Sequence, residues 1–476
     1  MKGAIMTPRN SWNQMSRRRF IQGVSVAALA AACAQGEDAP REQTPAAAAP
    51  SPVFSEPSGQ LSGDLRILLW SHFVPQHDGW IDSFAADWGE EVGVNVTVDH
   101  IDVTQIPARI SSEISAGEGH DLIQFIATLS QFEPSVHSMN DLMDEANSRF
   151  GEQVELCQKS SFNPTTENFY AYAPAWTPDP GDYRKSLWEQ VDLPDGPSTW
   201  DELLEGGGRI FSDQNIQMGL GLSQEIDSNM YARALIWSYG GALQDENENV
   251  TLMSDETIAA VEYSKELFDA AMTPEVFAWN PASNNEGLVA GQLSYILNSI
   301  SAWRTAQESL PDIAKDIYFV PALEGPEAAL AAQHVMYNWI APSFSTNFDA
   351  AQEFLLHYTT NLARACYESK LYDFPAYRDQ VPQLDGWLDE DPFAIEGDDP
   401  TKLEPLKTAL DWAKNLGHPG PASPAVGEIN GTFVLPNMLA RVARGRQEAE
   451  ESVEQAHQEC EEIFTKWRNE GLIGGG

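Results

Sequence analysis

The chain has 476 residues, 71 acidic and 28 basic side chains, a net charge of −43 and four cysteines. A field of that sign repels nucleic acid, phosphorylated solutes and anionic lipid, so those are poor partners. The acids are spread along the whole chain rather than gathered in a tail. That pattern keeps a protein dispersed in high salt, where self-repulsion is screened, and points to a halophilic source.

The first element in chain order is Ser16-Arg17-Arg18-Arg19-Phe20-Ile21-Gln22, followed by an apolar run to Ala32 and then Cys33. Arg17, Arg18 and Phe20 form a twin-arginine export signal. The apolar run is too short to span a bilayer. Three alanines before Cys33 resemble a lipobox, in which Cys33 is lipidated and becomes the mature N-terminus. Residues 1–33 are therefore predicted to be a twin-arginine lipoprotein signal, giving an exported, membrane-anchored chain. Residues 34–61 are rich in Ala, Pro, Gln, Glu and Ser without periodicity and read as a disordered tether. With Cys33 taken by lipid, Cys157, Cys366 and Cys460 allow at most one disulfide. No C-x-x-C pair exists to form a zinc ribbon.

The folded part opens with the buried-strand run Leu65–Trp70, then a helix over Ile81–Trp88 that Gly93 stops, then a strand over Val94–Val98. A helix over Ile106–Ala116 and a strand over Asp121–Ile126 complete a strand–helix–strand–helix–strand order. That order implies parallel pairing by right-handed crossovers. Ligands of such sheets gather at the strands' carboxyl ends, which places Trp70-Ser71-His72 and 125–130 at a candidate cleft. Tyr170–Trp176 reads as extended, and Tyr183–Trp188 as a short helix. Pro197–Leu204 has the signature of a capped helix start. Further helical spacing recurs over 231–239, 257–271, 350–360 and 448–467, and strand-like runs over 293–297, 317–320 and 335–340. No later stretch reaches transmembrane length.

Several ordered phrases resemble the extracellular solute-binding proteins of ABC importers, in the sugar-binding family that includes maltose-binding protein. They are Ser115-Ala116-Gly117-Glu118-Gly119-His120-Asp121, then Tyr183-Arg184-Lys185 with Pro197-Ser198-Thr199-Trp200-Asp201-Glu202, then Ala290–Asn298, Ile340–Phe354 and Val442–Gln447. Arg184 stands where that family usually has Asn. The resemblance implies an α/β, two-lobed periplasmic-binding-protein-like (type II) fold with hinge strands between lobes. Its boundaries would be 62–173 with 316–365 for lobe 1, and 174–315 with 366–470 for lobe 2. It implies a monomer that captures a carbohydrate by closure and delivers it to an ABC permease, with no catalysis and no cofactor. The ligand-facing positions it suggests are Trp70, Ser71, His72, Trp176, Tyr231, Asn298, Ser301, Trp303, Tyr337, Trp339 and Phe433. Sugars offer apolar C–H faces and hydroxyls, which aromatic platforms and polar side chains match.

Each position also has a plainer reading. Trp70, Trp176, Trp303 and Trp339 serve equally as core residues. His72, His77 and Asp78 read as loop polar groups rather than metal ligands. Gly206-Gly207-Gly208 reads as a helix-ending turn, and Asp389-Glu390-Asp391 as a solvated face. Arg184 and Arg304 are the candidates to receive an anionic solute. An exported carbohydrate hydrolase and a sensory binding protein without transport are the alternative functions.

Overall fold

The computed structural model describes residues 49–475 except Glu56 and Ser58. The expectations for Arg17, Arg18, Phe20 and Cys33 lie outside the described residues.

Two four-stranded sheets organise the chain. The first has the order Asn338–Ile340, Leu122–Phe125, Asp64–Trp70, Asn95–Ile101. Its central strand pairs in parallel with both 95–101 and 122–125, while 338–340 runs antiparallel to 122–125. Leu65 and Ile67–Trp70 are buried, as a covered parallel strand requires. The helix Gln76–Val92 covers this sheet with Trp80, Ile81, Phe84, Ala85 and Trp88, three and four residues apart. It ends at Gly93, whose φ of 77° is the left-handed value that favours glycine.

The second sheet has the order Ile317–Val320, Gly181–Arg184, Leu293–Leu297, Gln217–Gly219. The strand Ile317–Val320, assigned from sequence to the first lobe, pairs antiparallel with Gly181–Arg184 here. The chain therefore returns later than expected. A third, three-stranded sheet shows where: Val335–Met336, Ala175–Thr177 and Phe374–Pro375, with 175–177 central and antiparallel to both neighbours. These three short strands link the two larger sheets and are the crossing strands. The run 335–340, read as one strand, is in fact two, since Val335–Met336 belongs to the crossing sheet and Asn338–Ile340 to the first.

Three local expectations need correction. Tyr183 and Arg184 end a strand, and only Lys185–Trp188 is helical. Gly206-Gly207-Gly208 lies inside the helix Trp200–Gln214. The glycines serve close packing there, because a Cβ at Gly206 would sit 2.5 Å from the Trp188 ring and one at Gly207 2.5 Å from the Met218 sulfur. Within 34–61, the part at Pro50–Ser55 is docked rather than free. Val53 N–H donates to Asn361 Oδ1 (2.7 Å), and Asn361 Nδ2 donates to the Val53 carbonyl (2.8 Å). The Phe54 ring packs 5.5 Å from that of Phe84. Asn361→Ala should remove about 1–2 kcal/mol of stability and speed proteolytic cleavage between 49 and 60. An unchanged digestion pattern would show that this contact does not hold the segment.

Cys157, Cys366 and Cys460 are buried, unpaired thiols. Among the described residues, no helix is long and apolar enough to cross a membrane.

Candidate functional site

The ends of the crossing strands collect buried ionisable and aromatic side chains from both sides. At the first-sheet end, Trp70 closes its strand, and the chain turns through Ser71, which is exposed and donates its N–H to the Ile101 carbonyl (2.8 Å). His72 follows and is buried. Its Nδ1 accepts from Val74 N–H (2.9 Å), which leaves Nε2 to donate. Nε2 lies 2.9 Å from Tyr337 Oη and 3.2 Å from Asp373 Oδ1. Tyr337 Oη also donates to Asp373 Oδ1. The ring of His77 stacks on His72 at 4.4 Å, and its Nε2 is 3.5 Å from Asp373 Oδ2. Trp70 stacks on the other side of His72 at 4.9 Å.

Burial alone would raise the Asp373 carboxyl, but the His72 and Tyr337 hydrogen bonds and the histidines packed beside it outweigh burial and hold the group low. His77 moves the opposite way. Burial, with His72 beside it, lowers it to about 3, so it is neutral at any physiological pH. His72 and His77 are thus partners of a buried carboxylate, not the solvated loop groups expected from sequence. The Asp78 carboxylate receives the His72 N–H (3.1 Å) and so helps fix the turn.

At the second-sheet end, Asp179 follows the crossing strand Ala175–Thr177, and His334 precedes Val335–Met336. His334 Nδ1 lies 2.9 Å from Asp179 Oδ1 and 4.0 Å from Asp227 Oδ1. Asp227 and Glu225 come from the start of the helix Ile226–Ser238, where Glu225 accepts the N–H groups of Asp227 and Ser228 (both 2.6 Å) as its cap. Burial raises all three acids. Glu225 reaches about 7 despite its cap bonds, and Asp227 goes well above the usual range, pushed further by Glu225 and Asp179. The His334 contact only partly offsets burial at Asp179. Tyr372 spans the two ends, with its ring edge-on to His72 at 5.2 Å and to His334 at 6.3 Å.

Asn298 and Ser301 lie beside this wall. The Asn298 N–H donates to the Pro180 carbonyl (3.1 Å), and Asn285 ties the two side chains together at 2.7 and 2.9 Å. Of the positions suggested by resemblance, Trp70, His72 and Tyr337 come together, with Asn298 and Ser301 paired nearby.

The rest separate from the cluster. Trp176 is in a crossing strand but packs on Phe374 (5.7 Å) and lines a small cavity with Pro375, Leu384 and Leu388. Tyr231 donates to Ser264 Oγ (2.9 Å) and packs on Trp200, inside the second-lobe helices. Trp303 is fully buried beneath the Arg304 guanidinium (4.3 Å) and against Phe319 (5.4 Å). Trp339 packs on Phe354 and Tyr358 in the first-lobe core. Tyr231, Trp303 and Trp339 are core residues, because packed side chains enclose each of them. Phe433 is half-buried at a left-handed φ of 57°, just before the helix Val434–Ala443. Arg184 and Arg304 are both committed, to Asp316 (2.6 Å) and Asp391 (2.7 Å), so neither is spare for an anion.

Sequence reasoning missed His334, Asp179, Glu225, Asp227, Tyr372 and Asp373. The available signal was acids flanked by proline or strand residues, as in Thr177-Pro178-Asp179-Pro180, in a stretch otherwise too apolar for surface loop. Among the described residues, no group of three His, Cys, Asp or Glu side chains converges as metal ligands would.

The arrangement of two sheets joined by crossing strands matches solved structures over most of the chain. The maltose-bound MalE3 of T. maritima superposes with a TM-score of 0.69 at 17% identity, covering 84% of this chain and 100% of that one. A sugar transporter protein from Arthrobacter chlorophenolicus A6 with bound laminaribiose gives 0.70 at 16%, covering 84% and 99%. An ABC transporter solute-binding protein from Agrobacterium radiobacter K84 in complex with ribitol gives 0.68 at 14%, covering 86% and 100%. At such identities the likeness establishes the two-lobed fold. A search of curated protein sequences returned no match. The family model for bacterial extracellular solute-binding proteins, however, matches residues 80–396, which take in all three crossing strands, and the chain belongs to that family.

Proposed function

We propose that this chain is the substrate-binding component of an ABC importer and captures an extracytoplasmic carbohydrate by hinged closure of its two lobes. The observation that carries this reading is the placement of Trp70, His72, Tyr337 and Tyr372 with buried carboxylates where three crossing strands meet two sheets. Aromatic faces beside hydrogen-bonding acids suit a sugar ring, and a hinge of short strands suits closure. The solved relatives of this fold described above hold maltose, laminaribiose and ribitol, which favours a polyol ligand here. The twin-arginine signal and Cys33 lipidation would keep the exported chain beside its permease. The protein acts as a monomer, without catalysis, and its acidic surface serves a high-salt medium.

A thermal-shift screen against mono- and disaccharides and polyols tests the reading. A true ligand at a hundredfold its dissociation constant stabilises by about 2.7 kcal/mol. No shift from any of them would remove the carbohydrate assignment. Small-angle scattering should show compaction with the ligand found, and unchanged dimensions would remove hinge closure.

A further inference from the structure

Charge does not balance at the second-sheet end of the crossing strands. Asp179, Glu225 and Asp227 are all buried, and among the described residues their only ion-pair partner is His334. Glu225 is occupied by its own helix start. Asp179 Oδ2, in contrast, has no hydrogen-bond partner. A second group there is also unsatisfied. The Tyr372 hydroxyl is fully buried without a partner. Burial and then the carboxylates of Asp373, Asp227 and Asp179 all resist its ionisation, so it faces the same acids. A buried hydroxyl and a buried carboxylate oxygen, both left open next to the same histidine, are costly unless something fills the role of partner.

A neutral sugar would satisfy hydrogen bonds but not charge. Three carboxylates sharing one histidine would then stay protonated or remain unpaired in a dry site. An ammonium supplies both a positive charge and three donors. Asp179 and Asp227 both lie within 4.0 Å of His334 Nδ1, and the Tyr372 ring is edge-on to the same histidine at 6.3 Å.

We propose that the solute carries a protonated primary amine, received by Asp179 and Asp227 next to the Tyr372 hydroxyl. The inference rests on the carbohydrate-binding reading and narrows it to an amino sugar. The same ammonium chemistry occurs in free polyamines, and the experiment separates the two sources.

Titration calorimetry in phosphate buffer would compare D-glucosamine, its β-1,4-linked disaccharide, the N-acetylated counterparts, maltose and putrescine. Charge-assisted hydrogen bonds predict that the free-amine sugars bind about tenfold or more tightly than their N-acetylated forms. Asp179→Asn and Asp227→Asn should each erase that preference. Tighter binding of maltose or an N-acetylated sugar overturns the ammonium site and leaves the carbohydrate reading standing. Binding of putrescine alone keeps the ammonium site and overturns the carbohydrate reading. No binding by any probe overturns both. If one variant does not fold, the wild-type preference and the other variant still decide, and a preference retained in a folded variant removes that carboxylate from the site.

Discussion

Asp391→Ala is expected to destabilise the protein by about 3–5 kcal/mol, the cost of leaving a buried charge without its partner. Arg304 Nη1 and Nη2 meet the two Asp391 oxygens at 2.7 and 3.0 Å, and both side chains are almost completely buried. The guanidinium also donates to the Lys370 carbonyl (2.9 Å) and to Gln307 Oε1 (3.1 Å), and lies over the Trp303 and Phe393 rings. Arg304 is thus held on every side, and Asp391 supplies the only negative charge among these contacts, so its loss strands a buried cation. The pair also has a positioning role, since the helix Ser301–Ser309 that carries Arg304 begins at Ser301, beside the acid wall. Replacing both partners by apolar residues, Arg304→Met with Asp391→Leu, should recover most of the loss, because the desolvation penalty goes with the charges. Urea unfolding of the two single variants and the double variant measures this coupling. A loss under 1 kcal/mol for Asp391→Ala would mean that the pair is solvated.

The same residues show why some of the molecule was legible in sequence and some was not. The first sheet was readable because Leu65 and Ile67–Trp70 are apolar and its covering helices carry apolar groups at helical spacing, bounded by Gly93 and Gly117. Local pattern suffices where one element decides its own environment. The strand Ile317–Val320 was just as visible, but its sheet was not, because an apolar strand does not announce which sheet it joins. Asp391 sits in an acidic run that looks solvated, and only a cation 87 positions away makes it a core residue. The tryptophans misled for a related reason. Trp303 and Trp339 occupy strand-adjacent positions that suit a cleft, yet tertiary packing turned both inward. The candidate site was half legible: Trp70 and His72 follow from a strand end and Tyr337 from the family resemblance, whereas Asp179, His334 and Asp373 meet only through the crossing strands.

The second large effect is an inverted response to acid: the ligand-free protein should become more stable as pH falls from about 8 to about 6. Four buried carboxyls carry the sign. Burial raises Glu225 to about 7, lifts Asp182 and Asp227 well above the usual range and raises Asp179 as well. A carboxyl raised on folding binds its proton more tightly in the folded state, so its stabilisation is present at low pH and is lost as pH climbs through the folded value. Glu225 alone then contributes about 1 kcal/mol across this window, and Asp182 and Asp227 add to it. Two histidines oppose. His77 and His418 are lowered to about 3 and about 4, so the unfolded chain takes up their protons first, and that stability is lost as pH falls below about 6.5. Together they remove about 1.5 kcal/mol by pH 6, so a net rise requires Asp182 and Asp227 to add to Glu225. Below about pH 5 the balance reverses, because the histidines continue to favour the unfolded chain and the low-lying Asp373 begins to lose its pairing with His72. Calorimetric melts at fixed ionic strength should therefore show Tm rising from pH 8 to pH 6 and falling again in stronger acid. A Tm that falls steadily from pH 8 would mean that the buried acids are already ionised and matched by positive charge.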